Sequence, residues 1–121
     1  MEINKKVTSL QADISVFSDV GEIWNLIKET KGKKFIPIVI TDFVRECIDI
    51  NWFASKLEIA LDCGFVQGNE RKSPICEVEI ELKSGRMEDL LSLKNELSEK
   101  FDLQISTVSK YKKGLILAEQ I

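Results

Sequence analysis

Apolar positions along the chain recur in short stretches, and each change of period marks a new element. The opening Glu2–Ser9 is mixed in polarity and predicts only a frayed strand. Val20, Ile23, Trp24 and Ile27 then recur at helical spacing behind the N-cap candidates Ser18 and Asp19, and Gly32 offers a C-cap. This predicts a helix from Asp19 to Thr30 with Trp24 packed in a core-facing seam. The β-branched and aromatic run Phe35–Ile40 predicts a strand, with Pro37 marking an edge or bend. Further strands are predicted over Phe43–Ile50 and over Lys56–Leu61, the latter closed by the turn signal Asp62-Cys63-Gly64. Gln67–Pro74 is polar and rich in breakers, which predicts a loop.

Ile75–Leu82 alternates strictly between apolar and polar residues and is the clearest strand of the sequence; Ser84 and Gly85 end it. Met87–Phe101 reads as an amphipathic helix with Leu90, Leu93, Leu97 and Phe101 on one face. The apolar run Gly114–Ala118 predicts a last strand. Strands in runs, with two helices and no βαβ rhythm, predict an α+β fold built on an antiparallel sheet, in one domain over residues 1–121.

Composition narrows the chemistry. With 121 residues, 44% of them hydrophobic, the chain can bury a core without staples. It holds no histidine, which excludes imidazole zinc sites, Ser-His-Asp triads and imidazole general bases. No apolar run approaches the length of a membrane span, and MEINKKVTSL lacks a signal-peptide core, so neither a membrane nor secretion is expected. Cys47, Cys63 and Cys76 are odd in number and form no CxxC, which suits a reducing cytoplasm; they are expected to fill the apolar core. A formal net charge of -3 disfavours nonspecific nucleic-acid binding.

The conspicuous feature is a carboxylate row. In a strand, Glu77, Glu79 and Glu81 point to one face while Cys76, Val78, Ile80 and Leu82 point to the other. The outer pair spans about 13 Å at the usual rise per residue. Like charges in a row repel, and glutamate is a poor strand former, so water, cross-strand lysines or a divalent cation must offset the arrangement. Taken alone, the row reads as the solvated face of a half-buried sheet. Lys56, Glu58 and Asp62 share parity on another strand, Arg45 stands among Thr41, Phe43 and Cys47, and Lys110, Lys112 and Lys113 cluster before Gly114. Acidic and basic groups on one concave face would suit a metal and a polyanion together.

Four ordered segments resemble the CYTH domain, or triphosphate tunnel metalloenzyme, family. Ile40–Glu46 resembles its T-D-F-x-R strand, Lys56–Gly64 its I-E-I-A-x-D-x-G element, Pro74–Gly85 its P-I-C-E-x-E-x-E-L-x-S-G strand, and Ser109–Gly114 its S-K-x-x-R-G motif. The resemblance implies a small tunnel-like β-barrel with helices packed outside. It implies hydrolysis of tripolyphosphate, thiamine triphosphate or nucleoside triphosphates, or cyclisation of ATP, with magnesium or manganese. Glu77 and Glu79 would then face the metal, with Glu81 and Glu58 beside them. Arg45, Lys56, Lys110 and Lys113 would hold phosphate oxygens, and Glu77, Glu79 and Lys110 would carry the catalysis.

Two departures bear on this reading. Lys113 stands where the motif has arginine, which keeps charge but loses bidentate geometry. The family's opening E-x-E-x-K strand is not matched, so the chain resembles the C-terminal half of a tunnel domain, whose open edges would need a missing N-terminal half or a second copy. Three readings follow: part of a triphosphatase, a self-pairing homodimer that is active or merely binds polyphosphate, or a non-catalytic interaction module.

Overall fold

A computed structural model describes residues 2–120, which divide between Pro37 and Ile38 into two compact units. In the first, Glu2–Ser9 forms no strand, and Lys5 instead reaches Asp19 at 2.6 Å. The predicted helix is shorter and more broken than its apolar spacing suggested. It comprises 3-10 turns at Ile14–Phe17 and Gly21–Ile23, followed by α1 at Trp24–Thr30. The cap is not Ser18 or Asp19: Asp13 accepts from the Ser15 amide and starts the first turn. Gly32 does take a positive φ just beyond α1. Trp24 is half exposed with the Lys28 ammonium 5.5 Å from its ring, so it is not a core residue.

The second unit is a three-stranded antiparallel meander, β1 (Val39–Trp52), β2 (Ser55–Gly68) and β3 (Arg71–Ser84), with α2 (Met87–Phe101) and α3 (Lys110–Leu117). The α+β class and the antiparallel sheet agree with the sequence reading, but several boundaries move. Phe35–Pro37 lies outside the sheet, and the next two predicted strands become one continuous β1 and a longer β2. β2 runs through Asp62-Cys63-Gly64, because each of these residues pairs with both neighbouring strands. The predicted loop Gln67–Pro74 is mostly strand. Only Asn69 and Glu70 turn, both with positive φ, as a two-residue hairpin demands. Pro74 is tolerated because β3 is an edge strand.

The strand predicted at Gly114–Ala118 is a correction of type: these residues lie in and just after α3. Ser109 caps it, its hydroxyl accepting from the Lys112 amide at 3.1 Å. Close approach seats the helix on the sheet. A Cβ on Gly114 would strike the Val39 methyls, and one on Gly68 would strike the Gly114 carbonyl and the Ala118 amide. Val66, Ile75 and Ala118 are buried around this contact.

α2 contacts β3 and β2 and buries Leu93, while Phe101 at its end stays 61% exposed. The β3–α2 junction is locked by Ser55, whose hydroxyl donates to Asp89 at 2.5 Å and accepts from the Arg86 amide at 2.8 Å. All three cysteines are exposed rather than core. Strand parity explains this for Cys63 and Cys76: they face each other on the sheet face opposite the carboxylates, which also leaves Ile40, Val44, Ile48 and Phe65 exposed.

Two outcomes follow. Gly68→Ala, favourable for an ordinary strand glycine through unfolded-state entropy, should instead destabilise the chain by about 1–3 kcal/mol in urea titration, because its Cβ meets helix backbone. All three thiols should alkylate in the native chain, with Cys63 slowest by peptide mass spectrometry. Desolvation, and after it the facing Cys76, pushes the Cys63 thiol above its usual range.

Candidate functional site

The register builds the site row by row. Arg45, Asp62 and Glu77 stand side by side across the three strands, and the next row is Cys47, Ala60 and Glu79. Ala60 leaves space between them. From α3, one turn apart, Lys110 and Lys113 descend onto the carboxylates. Arg45 donates to Asp62 from Nε at 2.6 Å and from Nη2 at 2.7 Å, and Nη2 also reaches Glu79 at 3.0 Å. Lys110 Nζ lies 2.8 Å from Asp62, 2.9 Å from Glu77 and 2.7 Å from Glu79. Lys113 Nζ lies 2.8 Å from Glu77 alone. The Phe43 ring lies beside both cations, 5.1 Å from Lys110 and 5.6 Å from Arg45. Opposite Phe43, Gly64 has no room for a Cβ against the Asp42 and Phe43 backbone.

The Asp62 side chain is fully buried, and a buried carboxylate persists only if paired. Arg45 first and Lys110 second hold its pKa down at about 2. Lys113, and then Lys110, lowers Glu77 in the same way. Desolvation works against the Lys110 ammonium, but the surrounding carboxylates outweigh it and raise its pKa. Asp62 raises Arg45 likewise. One carboxylate oxygen from each of Asp62, Glu77 and Glu79 lies within 4.8 Å of the others, an all-oxygen set suited to a hard divalent cation. A cavity of about 1050 Å³ opens beside them, bounded by Glu77, Glu79, Lys110 and Lys113 and, around the β3 edge, by Val78 and Leu97.

Of the residues singled out in the sequence, Arg45, Glu77, Glu79, Lys110 and Lys113 converge here. Glu58 and Glu81 do not join them. They oppose each other farther along the sheet, where Lys83 lies 3.3 Å from Glu81 and 3.7 Å from Glu58. Lys56 is exposed and makes no ion pair among the described residues. Asp62 is the central residue of the cluster, although the sequence, which groups it by parity with Lys56 and Glu58 and also reads Asp62-Cys63-Gly64 as a turn, does not single it out as a site residue. Its parity with Glu58 was the available signal.

The depressed Asp62 pKa fixes a pH dependence. Because it lies below the unfolded value of about 3.9, its stabilisation is complete above roughly pH 4 and is lost as pH falls toward 2. Urea midpoints should therefore drop across that window. In Arg45→Met, which removes the main cause of the depression, the part of the drop due to Asp62 should shrink, because its folded and unfolded values then lie closer together.

The sequence matches the CYTH domain family over residues 1–115. It is also 38% identical over 84 residues to a curated inorganic triphosphatase of Haemophilus influenzae. That stretch covers 69% of this chain and 24% of the relative, so the chain spans about a quarter of that relative's length. Among the described residues no helix is long and apolar enough to cross a membrane. With charged residues of all four motifs now brought together over one face of the sheet, the extent of the family match decides the matter: this chain belongs to the CYTH domain family.

Proposed function

We propose that the chain forms one wall of a triphosphate tunnel, corresponding to the C-terminal half of a CYTH domain, and takes part in metal-dependent binding and hydrolysis of a triphosphate. The observation that carries this reading is the juxtaposition of the Asp62–Glu77–Glu79 carboxylates with Lys110, Lys113 and Arg45 on one sheet face beside an open cavity. Carboxylates alone would suit a cation, and lysines alone a phosphate. Their interleaving suits a phosphate chain that carries a cation. The curated relative, an inorganic triphosphatase, makes tripolyphosphate the first substrate to try.

In this reading Asp62, Glu77 and Glu79 would hold a magnesium or manganese ion, which would supply neutralisation of phosphate charge and activation of water for attack. Lys110 and Lys113 take phosphate oxygens as mobile point charges. Arg45 contributes less directly, since its bidentate grip on Asp62 spends Nε and Nη2 on positioning a ligand. Glu58, Glu81, Lys83 and Lys56 lie farther along the same strands and line a continuation of the charged face. The sheet is open, with β1 and β3 each paired on one side only. The opposing wall of the tunnel then comes from another segment or from a second copy of the chain.

Binding without turnover is the second reading. The commitment of Arg45 to Asp62 favours it, because that removes one bidentate phosphate ligand from use.

Phosphate release from tripolyphosphate, with magnesium and then manganese, decides between them. Hydrolysis by the wild-type chain should fall by about a hundredfold or more in Glu79→Gln, with the loss falling on kcat. Binding of tripolyphosphate without release by wild type would favour the binding module, and neither binding nor release would refute both.

A further inference from the structure

Three carboxylates converge on one point, and a lysine already stands there. We propose that the Lys110 ammonium is the resident counter-cation of the Asp62–Glu77–Glu79 cluster, that it and a divalent cation exclude each other, and that triphosphate admits the metal by drawing Lys110 away. This rests on the metal-binding reading above and adds an order of events to it.

The geometry is specific to Lys110. Its Nζ lies 2.7–2.9 Å from one oxygen of each of the three acids, so all three ammonium hydrogens are spent. A magnesium or manganese ion bridging the same carboxylates, at the ~2.0–2.6 Å usual for hard cations and oxygen, needs the space that Nζ fills. Nor can both be accommodated by a slight shift. The side chain of Asp62 is fully buried, and those of Lys110 and Glu77 are only 14% and 16% exposed, so water screens the two cations poorly.

The charge count points the same way. Asp62, Glu77 and Glu79 are balanced by Arg45, Lys110 and Lys113, three against three. A divalent cation entering with Lys110 still in place leaves the cluster strongly positive. One entering as Lys110 leaves gives a smaller excess, which an incoming polyanion balances.

Lys113 supplies the comparison. It carries the same charge on the same helix, yet it touches only Glu77 and is 33% exposed, so its departure empties nothing. Lys110 sits on the first turn of α3 behind the Ser109 cap, on a flexible stem beside the Phe43 ring. Its ammonium can turn toward phosphate oxygens in the cavity that Lys110 itself lines. Metal and triphosphate then reinforce each other's binding, because each relieves the cost that Lys110 imposes on the other.

The test measures manganese binding without any phosphate present, from the free Mn²⁺ signal in electron paramagnetic resonance. Lys110→Met should bind Mn²⁺ about tenfold tighter than wild type, and Lys113→Met less than about threefold tighter. Equal gains in the two variants would reduce the effect to general charge and overturn the proposal while leaving the metal site standing. No Mn²⁺ binding at millimolar metal by wild type or Lys110→Met would overturn both readings. A second measurement needs no substitution. In wild type, the ¹H–¹⁵N resonance of the Lys110 ammonium, held by its three acceptors, should vanish into solvent exchange as Mg²⁺ is added, and its persistence once metal has bound would refute the exclusion.

Discussion

The buried carboxylate of Asp62 is the constraint around which this sheet is arranged. A charge in the middle strand, with its side chain wholly out of water, must be matched at bonding distance by cations from its surroundings. Arg45 meets the need from β1 and Lys110 from α3, so one residue ties two elements to β2. Removing either partner leaves the buried charge with one cation where the fold supplies two. The pairing also specifies register. Sliding β1 by one residue would carry Arg45 to the far face and leave Lys110 to hold Asp62 without it.

What lets Lys110 reach so far inward is the seat of α3. Gly68 and Gly114 bring helix and strand into backbone contact, and Val66, Ile75 and Ala118 close around it. A glycine in the middle of a helix costs about 1 kcal/mol against alanine, which is offset here by apolar burial and by the ion pairs that the close approach permits. The first turn of α3 therefore stands directly over the carboxylate row, and Lys110 and Lys113, three residues apart, divide the work. One is enclosed by three acceptors, while the other is partly exposed and holds one.

Strong local periodicity was readable from the sequence, and pairing was not. The alternation of Ile75–Leu82 and the apolar face of Met87–Phe101 gave β3 and α2 because those patterns reflect burial on a single side. Gly114–Ala118 misled, since a short apolar run fits a strand as well as a buried helical turn; the informative signal was Ser109 with its cap three residues ahead of Lys112. Asp62-Cys63-Gly64 has the composition of a turn, and only its partners Arg45 and Glu77 make it strand. Parity placed Glu58, Glu81 and Lys56 on the correct face. It could not tell them from Glu77 and Glu79, because strands of 14 residues are long enough for two separate charge clusters on one face.

The two halves of the sheet's surface make complementary demands. One face is charged and, around Arg45, Lys110 and Lys113, electrically balanced. The other leaves Val44 and Ile48 more than half exposed, and both edge strands keep unpaired backbone. Exposed edges and apolar patches are features that stable sheets cover. In the proposed reading a triphosphate would make the matching demand on the charged face, because its oxygens point in every direction and a single wall can answer only some of them. In the proposed tunnel a second wall meets both demands at once, pairing the free edges as it brings further charge to the far side of the phosphates. The open edges and the half-complete phosphate site are then consequences of one fact, that three strands make a wall and not an enclosure.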